Sequence, residues 1–299
     1  MHMMRSDVRV GVNPILWSND DFHDLGGDIP LERCLADMHA AGFAGTELGH
    51  KYPRDAAALA AVLARHDLQL VSGWHSAHLL EKPIAAEREA LLHHLDLLSA
   101  LGARVAIVAE CSRRIYHEPV TPLVFERNGD ALAAIEWNRL ADGLESLAET
   151  AAARGMALAY HHHMGTVVQT AAEIDALMRR TRLLRLLLDT GHLAMAGADP
   201  VQVLRAHADR VGHVHLKNIR SEVVARTRHD GTSFATAVRA GVFTVPGDGG
   251  LDFVPVLAGL DASGYNGWLV IEAEQDPRLA PPLEYARRGR EHVRALTGL

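Results

Sequence analysis

Short β-branched and apolar runs alternate along this chain with longer stretches in which apolar residues recur every three or four positions. The first kind predicts strands, the second amphipathic helices. Strands are expected at 8–13 (VRVGVN), 44–48 (AGTEL), 68–73 (LQLVSG), 104–110 (RVAIVAE), 156–163 (MALAYHHH), 184–189 (LRLLLD), 210–216 (RVGHVHL) and 267–274 (GWLVIEAE). Ala- and Leu-rich helical patterns fall near 30–41, 55–66, 86–101, 133–153, 171–180, 200–208, 253–262 and 283–296. Pro30 suits a first helical turn, and Gly42 follows the end of that helix. Eight strand-then-helix units with no linker or low-complexity break predict one α/β domain over 1–299, a single (β/α)8 TIM barrel. An open doubly wound sheet would want a glycine-rich phosphate turn after its first strand, and GVNPILW is not one.

Two connections, 111–132 and 217–251, are longer than a βα loop requires, and both are expected over the C-terminal face where this fold carries its chemistry. The second contains RAGVFTVPGDGG. Its turn residues would bring Asp248 over the barrel mouth, with Phe243 and Val245 as a cover. An apolar loop there could equally bury itself against another copy, so a homo-oligomer is a further expectation.

Composition removes whole classes of partner. Of 299 residues 48% are hydrophobic and 22% charged, enough for a sizeable core, and 30 basic against 37 acidic side chains leave a net charge of −7. With no block of Lys or Arg, nucleic acid is not an expected partner. Cys34 and Cys111 lie far apart without metal-finger spacing and read as reduced, packed thiols. No apolar run approaches the roughly 20 residues of a membrane helix, and the start MHMMRSDVRV lacks a signal-peptide core. A cytoplasmic enzyme without a membrane partner is expected, with Met1 to Met3 read as a cloning remnant.

The excess is in histidine, 19 in all. Where the strands end, polar residues gather: His161, His162 and His163, then Asp189 and His192, then His213 and His215, then Glu272 and Glu274. Alternation puts His161 with His163, His213 with His215 and Glu272 with Glu274 on common faces. Such groups can satisfy one another by hydrogen bonds alone. However, burying Asp189 beside Glu272 without a cation incurs like-charge repulsion that a divalent metal with mixed imidazole and carboxylate ligands relieves.

This pattern resembles the xylose-isomerase-like metal barrels, in which strands five to eight each end in a ligand, usually Glu, Asp, His and Glu. LLLDTGH carries Asp189 and a nearby substrate-contacting His192, HVHLKN carries His215, and GWLVIE carries Glu272. In the fifth strand HHHMGT puts His161 where that group has Glu. The resemblance thus implies one divalent ion, Mn, Co, Fe or Zn, on His161, Asp189, His215 and Glu272. Within the group the stretches GVNPILWSNDD, GGDIPLERCL, AGFAGTELGHKYP, LVSGWHS, YHHHMGT, HVHLKNIR and RAGVFTVPGDGGLDF resemble the inosose dehydratases of myo-inositol breakdown.

That family implies a small cyclic polyol ketone as substrate and loss of water next to its carbonyl. The proton α to the ketone leaves, an enediolate forms, and the β-hydroxyl departs. The reaction needs one base and one acid. His163 is the first candidate and Glu274 the second; Lys217 and Glu47 would hold or protonate hydroxyls. Asn13, Trp17, His50, His75, Glu110, His192, Arg220 and Asp248 are the further expected substrate contacts. An isomerase or epimerase on the same barrel is the nearest alternative, and it would want the missing fifth-strand Glu. A metal nuclease would need a basic surface, and a non-catalytic sugar-binding barrel gives no reason to gather so many titratable groups at one end.

Overall fold

The computed structural model describes residues 7–127 and 132–299. The N-terminal start at 1–6 and the tip of the 111–132 connection at 128–131 lie outside the described residues. Eight parallel strands close a barrel: β1 (Arg9–Val12), β2 (Gly45–Leu48), β3 (Gln69–Ala77), β4 (Val105–Glu110), β5 (Ala157–His161), β6 (Arg185–Asp189), β7 (Val211–Leu216) and β10 (Trp268–Ile271). Around them run α1 (Leu31–Ala40), α2 (Ala56–Ala64), α3 (Ile84–Ala100), α4 (Ala134–Ala152), α5 (Ala171–Arg180), α6 (Thr190–Met195) with α7 (Pro200–His207), α10 (Val254–Ala262) and α11 (Pro282–Thr297). All eight expected strands are present. The third differs, running to Ala77 rather than stopping at 73.

The segment 217–251 is folded rather than open. Strands β8 (Asn218–Ile219) and β9 (Phe243–Thr244) pair antiparallel, and between them lie α8 (Ser221–Asp230) and α9 (Phe234–Arg239). Gly231, at φ 61°, turns the chain out of α8 in a left-handed conformation that favours glycine. The 111–132 connection docks on this segment. Pro122 bridges to Ser233, and Leu123 N–H donates to the Thr232 carbonyl.

Most of the core lies between sheet and helices, where leucines such as Leu35, Leu95, Leu144 and Leu186 are fully buried. Inside the barrel a smaller cluster of Ile107, Ala159 and Leu187 packs with Trp74. The N-terminal end is plugged by the Trp268 indole. A Cβ on Gly45 would lie 2.9 Å from that ring, so glycine makes the room for it. Among the described residues no helix is long and apolar enough to cross a membrane.

Candidate active site

A cavity of about 250 Å³ opens at the C-terminal end of the barrel. Its lining joins His161 and His163 at the end of β5, His215 from β7, and Glu272 and Glu274 just past β10. Alternation explains the selection: His161 and His163 face the axis, while His162 turns away and its Nε2 accepts the Asp189 backbone N–H at 3.4 Å. Asp189, the last residue of β6, is fully buried. Its Oδ1 accepts the His192 N–H at 2.8 Å, so the carboxylate that faces the site also caps α6 and is held there.

Around Asp189 the distances are short. Its Oδ2 lies 3.5 Å from both His161 Nε2 and His215 Nδ1 and 3.3 Å from Lys217 Nζ, while His215 Nδ1 lies 2.9 Å from Glu272 Oε2. Yet no hydrogen bond of proper geometry reaches Asp189 Oδ2, His215 Nδ1 or His161 Nδ1 among the described residues. Buried polar atoms that crowd together without pairing call for another partner. Imidazole nitrogens and carboxylate oxygens gathered in this way are the donor set of a divalent transition-metal ion. Three of the four expected ligands, His161, Asp189 and Glu272, each offer an atom within 4.8 Å of the others, but the fourth member of that group is His192 rather than His215. His215 meets Asp189 and Glu272 through its Nδ1 and belongs by its other nitrogen to Glu47, so the donor types fit such an ion.

Behind His215 stands Glu47. Its Oε1 faces His215 Nε2 at 3.2 Å and His213 Nε2 at 2.8 Å and accepts from Ser72 Oγ at 2.5 Å. Asn13 Nδ2 donates to Glu47 Oε2 and to Glu272 Oε2, both at 2.7 Å. A carboxylate on the far nitrogen of a ligand histidine fixes the ring and raises its basicity.

The charge balance is uneven. Burial would raise the carboxyls of Glu47, Asp189, Glu272 and Glu274, but the His215 ring at Glu47 and Glu272, and the Lys217 ammonium at Asp189 and Glu274, hold all four below the carboxylate range. Burial would in turn lower Lys217 and His215, but Asp189 raises the first and Glu272 the second, so both favour the protonated form as long as no metal is bound. Two cations thus face four carboxylates. Burial keeps His161 low and pushes His162 down to about 3, so both rings are neutral.

Asn13 and Glu47 line the cavity as expected, and Lys217 lies directly behind it, 2.7 Å from Glu274 Oε2 and 3.1 Å from His192 Nε2. His192 stays with the cluster, its Nε2 3.5 Å from Glu274 Oε1 and its ring centroid 3.8 Å from that of His163, while Trp17, His75, Glu110, Arg220, Asp248 and His50 lie elsewhere. Trp17 is buried in the shell and donates Nε1–H to Asp37. His75 points out of β3 toward His94, because Trp74 and Ser76 take the inward phase. Glu110 has the opposite parity to inward-facing Ile107 and accepts the N–H groups of Leu79 and Ser112 at 2.8 and 2.9 Å. Arg220 and Asp248 pair with each other at 2.7 Å, and Asp248 also binds Thr244 and Arg288, which turns it away from the mouth. His50 sits on Asp20, 2.6 Å away.

None of residues 218–251 lines the cavity. Phe243 and Phe234 instead wall the cluster from the side, their ring centroids 5.0 and 6.0 Å from that of His192. In place of a cover from that segment, Asp20, Asp21, Arg114, Tyr116 and Trp74 complete the lining. For Trp74 a signal existed: Ser72, Trp74 and Ser76 alternate, and Ser72 reaches Glu47. The others sit on irregular segments, where no period marks an inward face.

The chain matches the xylose isomerase-like TIM barrel family over residues 21–296. It is 48% identical to the inosose dehydratase of Geobacillus thermodenitrificans over 98% of each chain. It is also 48% identical to the rhizopine catabolism protein MocC of Rhizobium meliloti, covering 96% of this chain and 87% of that protein. The crystal structure of the probable 3-DHS dehydratase AsbF from Bacillus anthracis superposes with a TM-score of 0.70 at 14% identity, covering 95% of this chain and 98% of that one, and shares the fold.

Proposed function

The chain belongs to the xylose isomerase-like TIM barrel family, and we propose that the reaction at its barrel mouth is the removal of water from an inosose. It is an enzyme, a hydro-lyase of myo-inositol catabolism, and its substrate is a small polyol ketone. The observation that carries the reading is the convergence of His161, His163, His215, Glu272 and Glu274 on one cavity with Asp189 directly behind.

The metal reading rests on the same atoms. His161, Asp189, His215 and Glu272 hold one divalent ion, and manganese, cobalt, iron and zinc suit imidazole with carboxylate. Such an ion supplies Lewis-acid stabilisation of the charge that builds on the carbonyl oxygen.

His163 acts as the base. Its Nδ1–H donates to the Met164 carbonyl at 2.7 Å, which leaves the Nε2 lone pair facing the cavity. The C–H bond α to the ketone breaks: its proton goes to Nε2, its electron pair forms the C=C bond of an enediolate, and the carbonyl π pair moves onto the oxygen. Glu274, 3.7 Å from Nε2, stabilises the imidazolium so formed. The enediolate re-forms the carbonyl, its C=C pair shifts to the α–β bond, and the β C–O bond breaks; the departing hydroxyl takes the proton from the imidazolium and leaves as water, and the enol that remains tautomerises to the diketone. Trp74, Leu48 and Ile107 offer apolar surface to the C–H faces of a ring whose hydroxyls meet polar groups at its edges.

Diketone formation from inosose, followed by absorbance with metal analysis of the same sample, tests this. Turnover that appears with the divalent ion and disappears with a chelator supports it. Interconversion of ketoses without absorbance gain would decide for an isomerase instead.

A further inference from the structure

Lys217 is a fully buried lysine set among carboxylates, and its path to them depends on a glycine. The side chain leaves the end of β7, passes α6 and brings Nζ to 2.5 Å from Glu272 Oε1, 2.7 Å from Glu274 Oε2 and 3.3 Å from Asp189 Oδ2. Gly191, the second residue of α6, forms one wall of this passage. A Cβ there would lie 2.4, 2.7 and 2.8 Å from Lys217 Cγ, Cδ and Cβ. Those atoms are the base of the stem rather than its free end, so the whole side chain would have to move. On another side the Phe243 ring centroid lies 4.8 Å from Nζ, which places β9 against the same side chain.

We propose that Gly191 is a positioning residue that threads the Lys217 ammonium onto Asp189, Glu272 and Glu274, where it stands in for the divalent ion and competes with it. The inference rests on the metal reading above and adds a sign to it. Four buried carboxylates cannot stay together uncompensated, so a cation of the chain's own keeps the site assembled before metal arrives. The same positive charge beside two ligand carboxylates then opposes a second cation, which weakens metal affinity. A lysine that merely braced the ligands would act oppositely, since its loss would loosen the site.

The test is calorimetric titration of Mn²⁺ alone into the chelator-stripped full chain, for wild type, Lys217→Met and Gly191→Ala, with thermal melts of each. Met keeps the stem without its charge. Lys217→Met is expected to bind Mn²⁺ about tenfold tighter or more, to melt lower without metal, and to gain more in Tm on adding Mn²⁺ than wild type does. Gly191→Ala keeps the charge but displaces it, so it also tightens binding, by less. In the double variant the added alanine still lowers the melt but no longer changes affinity. Equal or weaker Mn²⁺ binding by Lys217→Met, with wild type binding normally, overturns the inference and leaves the metal reading standing. If Lys217→Met does not fold, unchanged or weaker binding by Gly191→Ala overturns it. No Mn²⁺ binding by any folded form overturns both.

Discussion

Two polar clusters of this barrel are built on opposite principles. Around Asp248 one carboxylate meets two guanidiniums and a hydroxyl: Oδ2 accepts from Thr244 Oγ1 at 2.6 Å and Arg220 Nη2 at 2.7 Å, and Oδ1 pairs with Arg288. Around Asp189 four carboxylates surround the Lys217 ammonium and the His215 ring, and among the described residues Oδ2 receives no hydrogen bond although three nitrogens stand within 3.5 Å. The first cluster is complete, and its Asp248 carboxyl is held low by Thr244 and the arginines against the burial that would raise it. The second is negative and partly unpaired, which costs stability that only a ligand recovers. Completeness, more than polarity, separates structure from chemistry here.

The sharpest break of that contrast is to remove each aspartate. Asp189→Ala is expected to abolish divalent-metal binding and turnover together, because on the proposed reading the residue would supply a ligand atom, and it also caps α6. Asp248→Ala is expected to cost about 1 kcal/mol of stability and to leave metal stoichiometry unchanged. Metal analysis and denaturant unfolding of both variants decide the matter. An Asp189→Ala protein that still holds one ion per chain would sink the assignment.

A smaller effect is expected one step from the ligands. His163→Ala leaves the four proposed ligand side chains in place, so metal binding is expected to persist while turnover falls by roughly 10² to 10⁴, the usual contribution of a positioned base. If turnover is unchanged while metal is bound, the proton transfer passes to another group on the cavity wall, and Glu274 is the nearest.

Much of this site was legible because strand ends carry their own ruler. In the fifth and eighth strands and the residues just past them, polar residues recur at a spacing of two, and the buried pairs 161/163 and 272/274 follow that phase into the cavity. The ruler fails where strand length is misjudged. With β3 read as ending at 73, His75 looked like a loop residue free to face the mouth; in a strand that runs to Ala77 it must point outward. It fails again where the chain has no period. Arg220 and Asp248 sit in the RAGVFTVPGDGG neighbourhood, whose fold is set by α8, α9 and their mutual pairing rather than by alternation. Asp20, Asp21, Arg114 and Tyr116 reach the cavity from irregular segments after β1 and β4, through tertiary packing that no local pattern encodes.

His75 also supplies the last comparison, between a histidine amid carboxylates and one without them. Without a metal, Glu272 and Glu47 raise His215 against its burial, whereas burial, with His94 on α3 and His78 and Lys82 beyond β3 adding repulsion, lowers His75 to about 4. The sign follows from linkage. In the unfolded chain the ring takes a proton near its ordinary value of 6.5; in the fold it resists until about 4. Between those values the unfolded state binds more protons, so stability is complete above pH 6.5 and falls as the pH drops toward 4. The expected loss from this residue is about 1–3 kcal/mol. Urea unfolding at pH 7.5 and pH 5 of wild type and His75→Gln measures it: wild type should lose more on acidification than the variant, which has no ring to protonate. Equal losses would mean that His75 is wet enough in the fold to accept its proton freely, and that the outward face of β3 opens to water.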